Sequence, residues 1–210
     1  MSALLTGFFL ASALYSEEIS FKADKMTGTA GNNNDTTTLI GNAFVKTKDM
    51  EITADRITLS GKDFRLIKAE GKVSAKNTET ETDFECGKLT FDRETETATL
   101  QDNVKLNDKK NEVSAKAQML EYRQKTETVL LQIDIELKQK NNVCTGAYAI
   151  YHKNEQMLEL SGSPKIVQGQ DTFKAQEITL DMNSQEITLS GRVQGSVTSS
   201  GKKGDTDGNN

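Results

Sequence analysis

Proline, tryptophan, histidine and cysteine are nearly missing from this chain, and each scarcity removes a class of answer. The 210 residues hold one Pro, no Trp, one His and two Cys. The single histidine, His152, precedes a turn at Lys153-Asn154 and reads as a surface residue. That leaves no histidine for a catalytic triad and no His-rich metal site. Two cysteines cannot make a disulfide framework. By strand parity Cys86 faces inward and Cys144 outward, so both read as free thiols, with Cys86 a small buried apolar residue. Near-absent proline permits long uninterrupted backbone ladders. No run of basic residues exceeds two, at Lys109-Lys110 and Lys202-Lys203, and the net charge is -5. Both facts argue against phosphate-backbone binding as the main role. Neither a P-loop nor a dinucleotide fingerprint is present. Paired carboxylates such as Asp134 and Glu136 alternate outward on an apolar strand, which is a solvated face rather than a glycosidase pair. The composition therefore predicts a non-enzymatic protein with no cofactor and no metal.

What is present is alternation. Between 173 and 195, Phe173, Ala175, Ile178, Leu180, Ile187, Leu189 and Val193 are separated by polar residues around an Asn183-Ser184 turn. Period two in β-branched and aromatic residues marks half-buried strands. The parity slips between Ala175 and Ile178, which predicts a bulge or corner there. The same unit recurs. A short residue or Cys stands two places after an apolar one at Ala23, Ala54, Cys86, Ala115, Thr145 and Ala175, with gaps of 31, 32, 29, 30 and 30. A second anchor recurs at Gly41, Gly71, Asp102, Ile133, Gly162 and Gly191, with gaps of 30, 31, 31, 29 and 29. Six repeats of about 30 residues thus fill 19–195, and a fixed period of this size means a stacked array. A hydrophobic fraction of 35% suits an array of thin cross-section. The fold class expected is all-β and elongated: either a V-shaped, jelly-roll-like sleeve or a closed β-solenoid with a filled core.

The ends differ from the middle. Residues 3–14 form an uncharged apolar run of twelve, too short to span a bilayer. It matches a signal-peptide core followed by Ala11-x-Ala13 or Ser16, although no Lys or Arg precedes it. The expectation is a signal peptide at 1–16, a repeat domain at 17–195, a disordered polar tail at 196–210, and export to the periplasm. A buried edge strand and an uncleaved anchor are the other readings of the first segment.

The repeat units resemble the OstA/LptA-like family of periplasmic lipopolysaccharide-transport proteins. The residues that carry the likeness are Ile52-Thr53-Ala54-Asp55-Arg56-Ile57-Thr58-Leu59, Leu189-Ser190-Gly191-Arg192-Val193 and Ala117-Gln118-Met119-Leu120-Glu121-Tyr122. The chain departs from the family pattern in the long loop at 31–38, in Ile133 at a usual Gly, and in Pro164 at a usual Val. The resemblance implies a twisted antiparallel β-jelly-roll, open along one side, whose groove holds acyl chains of lipopolysaccharide or a related glycolipid. It implies end-to-end stacking with copies of itself and with like-fold domains of inner- and outer-membrane transport proteins.

On the residues alone, the inward stripe either lines a lipid groove or fills a core; the resemblance favours the groove. The residues concerned are Ile57, Leu59, Val73, Leu89, Phe91, Leu100, Val104, Leu120, Tyr122, Leu131, Ile135, Tyr148, Ile150, Leu160, Phe173, Ile178, Leu180, Leu189 and Val193. The readings that compete with a lipid carrier are a structural β-solenoid without cargo and an inner-membrane-tethered adaptor of the same fold.

Overall fold

The computed structural model describes residues 19–29 and 36–198. The expected leader at 1–16, most of the tail and part of the 31–38 loop lie outside the described residues. The rest is one antiparallel sheet of sixteen strands. In chain order these are β1 (Ser20–Lys22), β2 (Lys25–Thr29), β3 (Thr36–Lys46), β4 (Met50–Ser60), β5 (Leu66–Asn77), β6 (Thr82–Asp92), β7 (Thr97–Asp108) and β8 (Val113–Arg123). They continue as β9 (Thr128–Gln139), β10 (Asn142–His152), β11 (Met157–Ser161), β12 (Lys165–Gln168), β13 (Asp171–Lys174), β14 (Glu177–Asp181), β15 (Ile187–Ser190) and β16 (Gln194–Ser196). From β3 to β11 each strand pairs with the next in sequence, as short connections between alternating segments dictate. Strand β16 ends at Ser196, and the Thr198 N–H donates to Asp171 Oδ1 at 2.8 Å.

Every long strand is bent in the middle, and the bend explains the second sequence anchor. The register of each long pair slips at mid-strand, for example between Thr53 and Arg56 of β4 against β5. The return strand turns this corner on two successive residues of positive φ: Gly41-Asn42, Gly71-Lys72, Asp102-Asn103, Ile133-Asp134, Gly162-Ser163 and Gly191-Arg192. Glycine takes that conformation without steric cost, which is why it opens four of these six corners. Ile133, β-branched at φ +67°, is the costly exception. Side-chain volume is traded across each corner. A Cβ on Gly71 would lie 2.5 Å from Asp55 Oδ2 and 3.0 Å from Asp55 Cβ. In the next unit the bulk changes sides: Asp102 occupies the return corner and Gly87 faces it, where a Cβ would sit 2.7 Å from Asp102 Cβ. The third departure from the family pattern is local: Pro164 is buried just past its corner.

The first anchor needs a correction in two units. The residue preceding each outgoing corner is Ala23, Ala54, Cys86, Ala117, Gly146 and Ala175, not Ala115 and Thr145 in the fourth and fifth. Gly146 stands two places after Cys144, but Val143-x-Thr145 matches the same spacing one residue earlier and hides it. A Cβ there would lie 3.0 Å from the Ser161 carbonyl oxygen, so the position is closed even to alanine without a shift. Moving the anchor by one reverses the parity of β10. Asn142, Cys144, Ala149 and Tyr151 face inward and are buried, while Tyr148, expected inward, is 39% exposed and Ile150 is half-buried on the outer face. Cys144, expected outward, is fully buried. Both cysteines are free.

The corners divide the sheet into two arms. Their ends carry two rows of turns. The first row is 47–49, 78–81, 109–112, 140–141 and 169–170; the second is 61–65, 93–96, 124–127, 153–156 and 182–186. Within a row the turns are joined by backbone bonds. Thr78 N–H donates to Asp49 O (2.9 Å) and Lys109 N–H to Glu81 O (3.2 Å) in the first row. Arg93 N–H to Arg65 O (3.0 Å), Gln124 N–H to Glu96 O (3.0 Å) and Lys153 N–H to Glu127 O (3.0 Å) do the same in the second. Many turns open on an Asx residue. Asn77 Oδ1 accepts from the N–H groups of Glu79 and Thr80 at 3.0 and 2.8 Å, and Asp92 and Asp181 do likewise. They close on a left-handed Glu or Gln, such as Glu81, Glu96 and Gln185.

Candidate functional site

The space between the arms is the candidate site, because it is where period-two alternation sends most of the apolar side chains. One arm contributes Ile52, Val73, Ala75, Phe84, Val104, Leu106, Ile135 and Leu137; the other contributes Ile57, Leu59, Ile67, Leu89, Phe91, Leu100, Leu120, Leu131, Leu160, Ile178 and Leu180. All belong to one contiguous buried cluster. Of the residues expected to line a groove, Ile57, Leu59, Val73, Leu89, Phe91, Leu100, Val104, Leu120, Tyr122, Leu131, Ile135, Leu160, Ile178 and Leu180 are therefore brought together and buried. Phe173, Leu189 and Val193 belong to the last of the described units, beyond which no further described strand packs. Phe173 and Leu189 are half-buried and Val193 is 55% exposed. Tyr148 and Ile150 leave the set because β10 has the opposite parity. The arms touch across the interior, where the Phe84 and Tyr122 rings stand 5.5 Å apart between centroids.

The mouth between the two rows of turns is spanned by side chains. Gln124 Nε2 donates to Asp49 Oδ2 at 3.2 Å. The hydroxyls of Thr80 and Tyr122 share a bond of 3.3 Å. Tyr151 OH donates to Asp108 Oδ2 at 3.2 Å, and Lys153 Nζ lies 3.3 Å from the same oxygen. Lys153 Nζ also donates to Thr82 Oγ1 and stands 5.7 Å from the Tyr122 ring centre. Further along, Lys140 Nζ donates to the Met182 carbonyl (3.4 Å), Asn142 Nδ2 to Gln185 Oε1 (2.6 Å) and Gln185 Nε2 to Gln139 Oε1 (3.2 Å). Each of these hydrogen-bonded pairs joins a first-row end to a second-row end. The sheet is thus unclosed in its backbone and closed by a polar seam.

At the centre of the seam the Lys153 and Asp108 side chains are 1% and 0% exposed. Burial lowers the Lys153 pKa from its ordinary value, with Asp108 opposing that shift. Burial raises Tyr122 to about 12 and drives Tyr151 upward as well. Cys86 and Cys144 are raised to about 11 and about 12, chiefly by burial, which makes both thiols poor nucleophiles. His152 is half-buried near Glu159, with 3.5 Å between Nε2 and Oε1. Among the described residues no group of three or more His, Cys, Asp or Glu could hold a metal ion, and no helix is long and apolar enough to cross a membrane. A hollow of about 570 Å³ lies on the outer face of the first arm, among Lys76, Glu85, Lys105, Lys116, Glu136 and Lys138. Its charges are paired, as in Lys105–Glu85 at 2.8 Å and Lys138–Glu136 at 2.8 Å.

An unclosed, corner-bent antiparallel repeat sheet around a single apolar interior defines an elongated, twisted β-jelly-roll. The family described as LptA/(LptD N-terminal domain) LPS transport protein matches residues 22–157, and the chain belongs to that family. The match takes in the first four units and the outgoing strand of the fifth. Among solved structures the chain is similar to LptH, described as the LptA homologous periplasmic component of the conserved lipopolysaccharide transport device from Pseudomonas aeruginosa. That likeness has 11% identity, a TM-score of 0.27, and covers 88% of this chain and 97% of that one. No curated protein matches the sequence.

Proposed function

We propose that this chain is a periplasmic carrier that takes up the acyl chains of lipopolysaccharide, or of a related glycolipid, between its two arms and passes the lipid towards the outer membrane. The observation that carries the reading is the continuity of the apolar interior: one buried cluster extends from Leu39 to Met182, through every complete unit. An acyl chain needs an uninterrupted dry lining, and each buried methylene contributes about 0.8 kcal/mol. Sugars and phosphates would remain outside the mouth in water. Free edges support stacking. β1 and β2 pair only with β3 at one end, and β15 and β16 pair only with β14 and β13 at the other. Unpaired strand edges accept a further strand, so copies of this chain and like-fold domains in either membrane are the partners proposed. Export would depend on the leader at 1–16, with 17–195 as the working domain. Transfer needs no chemistry from the carrier itself.

The filled interior favours one second reading, a structural array that polymerises without cargo. The two are separated by photocrosslinking in cells. A photoreactive residue replaces Leu189, half-buried on the inner face of the last described unit, and in a control the exposed Thr188. A glycolipid adduct at 189 and none at 188 is the expected result. Protein-only adducts at both sites, from folded protein, would establish the structural array instead.

A further inference from the structure

Resting on the carrier reading, we infer that the polar seam is the line along which acyl chains are admitted, with the buried Lys153–Asp108 pair as its latch. Three observations lead there. The first is mechanical. Each arm is held by continuous strand ladders, and turns within a row are tied by backbone bonds. Between the rows, the bonds described above run from side chains. The weakest line in the molecule is therefore the mouth. The corners opposite it, each with a register slip and two residues of positive φ, are where the arms flex as units.

The second observation is chemical. A buried ion pair contributes little net stability, because desolvation offsets the attraction, and apolar residues of similar volume would close the mouth at least as firmly. The seam instead places Lys153, Asp108, Thr80, Thr82, Asn142 and Gln139 in positions that are 9% exposed or less. When an apolar contact is broken in water, nothing compensates the exposed surface. When this seam parts, the ammonium and carboxylate regain their hydration and each hydrogen bond is exchanged for one to water. A polar closure thus lowers the cost of opening while it keeps the resting interior dry.

The third observation is the filled interior. With Phe84 against Tyr122 and the lining residues buried, no acyl chain enters unless the arms separate. Tyr122 belongs to both systems: its ring packs on Phe84, and its hydroxyl and ring face meet Thr80 and Lys153 in the seam. Displacing that ring by an acyl chain releases the seam beside it.

The test uses the full chain and purified lipopolysaccharide. Spin labels are placed across the mouth at the exposed Lys48 and Lys125, beside Asp49 and Gln124, and within one row at Glu94 and Lys125. On lipid binding the 48–125 distance widens and the 94–125 distance holds. In parallel, Asp49→Cys/Gln124→Cys is bridged with a short bis-maleimide, the bridge being verified by intact mass. Bridging slows lipid uptake on the order of tenfold or more relative to the same unbridged variant, the factor given by about 1.4 kcal/mol of added barrier. Binding with an unchanged 48–125 distance, or equal uptake by bridged and unbridged protein, overturns the seam and leaves the carrier standing. Failure of the unbridged protein to bind lipopolysaccharide overturns both.

Discussion

The trade of volume across the corners gives a double-mutant cycle with a definite sign. In the second unit Asp55 faces Gly71; in the third, Gly87 faces Asp102. Gly71→Asp alone forces an L-residue into φ +78° and drives its Cβ to 3.0 Å from the Asp55 Cβ, which the backbone holds in place. The left-handed conformation costs about 1 kcal/mol for Asp, and the overlap about 1–3 kcal/mol more. Asp55→Gly alone puts a glycine into a strand, at about 0.5–1 kcal/mol. If the effects were independent, the pair would lose about 3–5 kcal/mol. In Asp55→Gly/Gly71→Asp the overlap is gone and the arrangement of the third unit is reproduced, so the loss falls to about 2 kcal/mol. A coupling of about 1–3 kcal/mol is expected, read from urea midpoints followed by circular dichroism at constant slope. Additivity within about 0.5 kcal/mol would show that the corners are not paired by volume.

The other predictions concern the seam, the second row of turns and the thiols. Lys153→Met strands the Asp108 carboxylate among Tyr151 and Asn111 and lowers stability by about 3–5 kcal/mol; adding Asp108→Leu recovers most of it, as urea unfolding will show. Arg65 holds the Asp92 pKa at about 2, against an ordinary 3.8, chiefly by a direct hydrogen bond. The folded value lies below the unfolded one, so this contribution is complete above pH 3.8 and disappears as pH falls towards about 2. The melting temperature of Arg65→Ala should accordingly trail the parent at neutral pH and converge with it in that window; a constant gap would refute the linkage. Cys86 and Cys144, raised to about 11 and about 12, should react with a chromogenic disulfide at mildly alkaline pH only after denaturant is added. Prompt labelling of the native protein would contradict their burial.

The corners were readable from sequence wherever glycine marked them, at Gly41, Gly71, Gly162 and Gly191, because only a left-handed residue makes the turn. Asp102 and Ile133 were recoverable from period alone. The parity of β10 was lost at one residue: Gly146 replaces the usual Ala or Cys, and Tyr148 and Ile150 mimic an inward pair. The turns at 153–156 and 182–186 were readable from their Asn residues, while most turns lack glycine and close on Glu or Gln, where an Asx four residues earlier (Asn77 and Glu81, Asp92 and Glu96, Asp108 and Glu112, Asp181 and Gln185) is the more general signal. The seam had no local signature at all. Its bonds join residues 42 to 75 positions apart, and Lys153 and Asp108 look like ordinary turn residues until the arms meet.

Those separations always run one way: the second-row partner follows the first-row partner in sequence, by more than a full unit. The two arms are therefore sheared past one another, and the molecule is a split ring with a step rather than a flat-ended tube. At the amino-terminal end the second-row turn at 61–65 takes no part in the seam bonds given above; at the carboxy-terminal end the first-row turn at 169–170 takes none. Phe21 and Met26 lie bare at one step, and Val193 and Val197 at the other. If copies stack as proposed, two such steps would meet as lock washers do. In a filament the slit of one copy would run into the slit of the next as a single helical track, so that a chain parting one seam arrives already aligned with the following one.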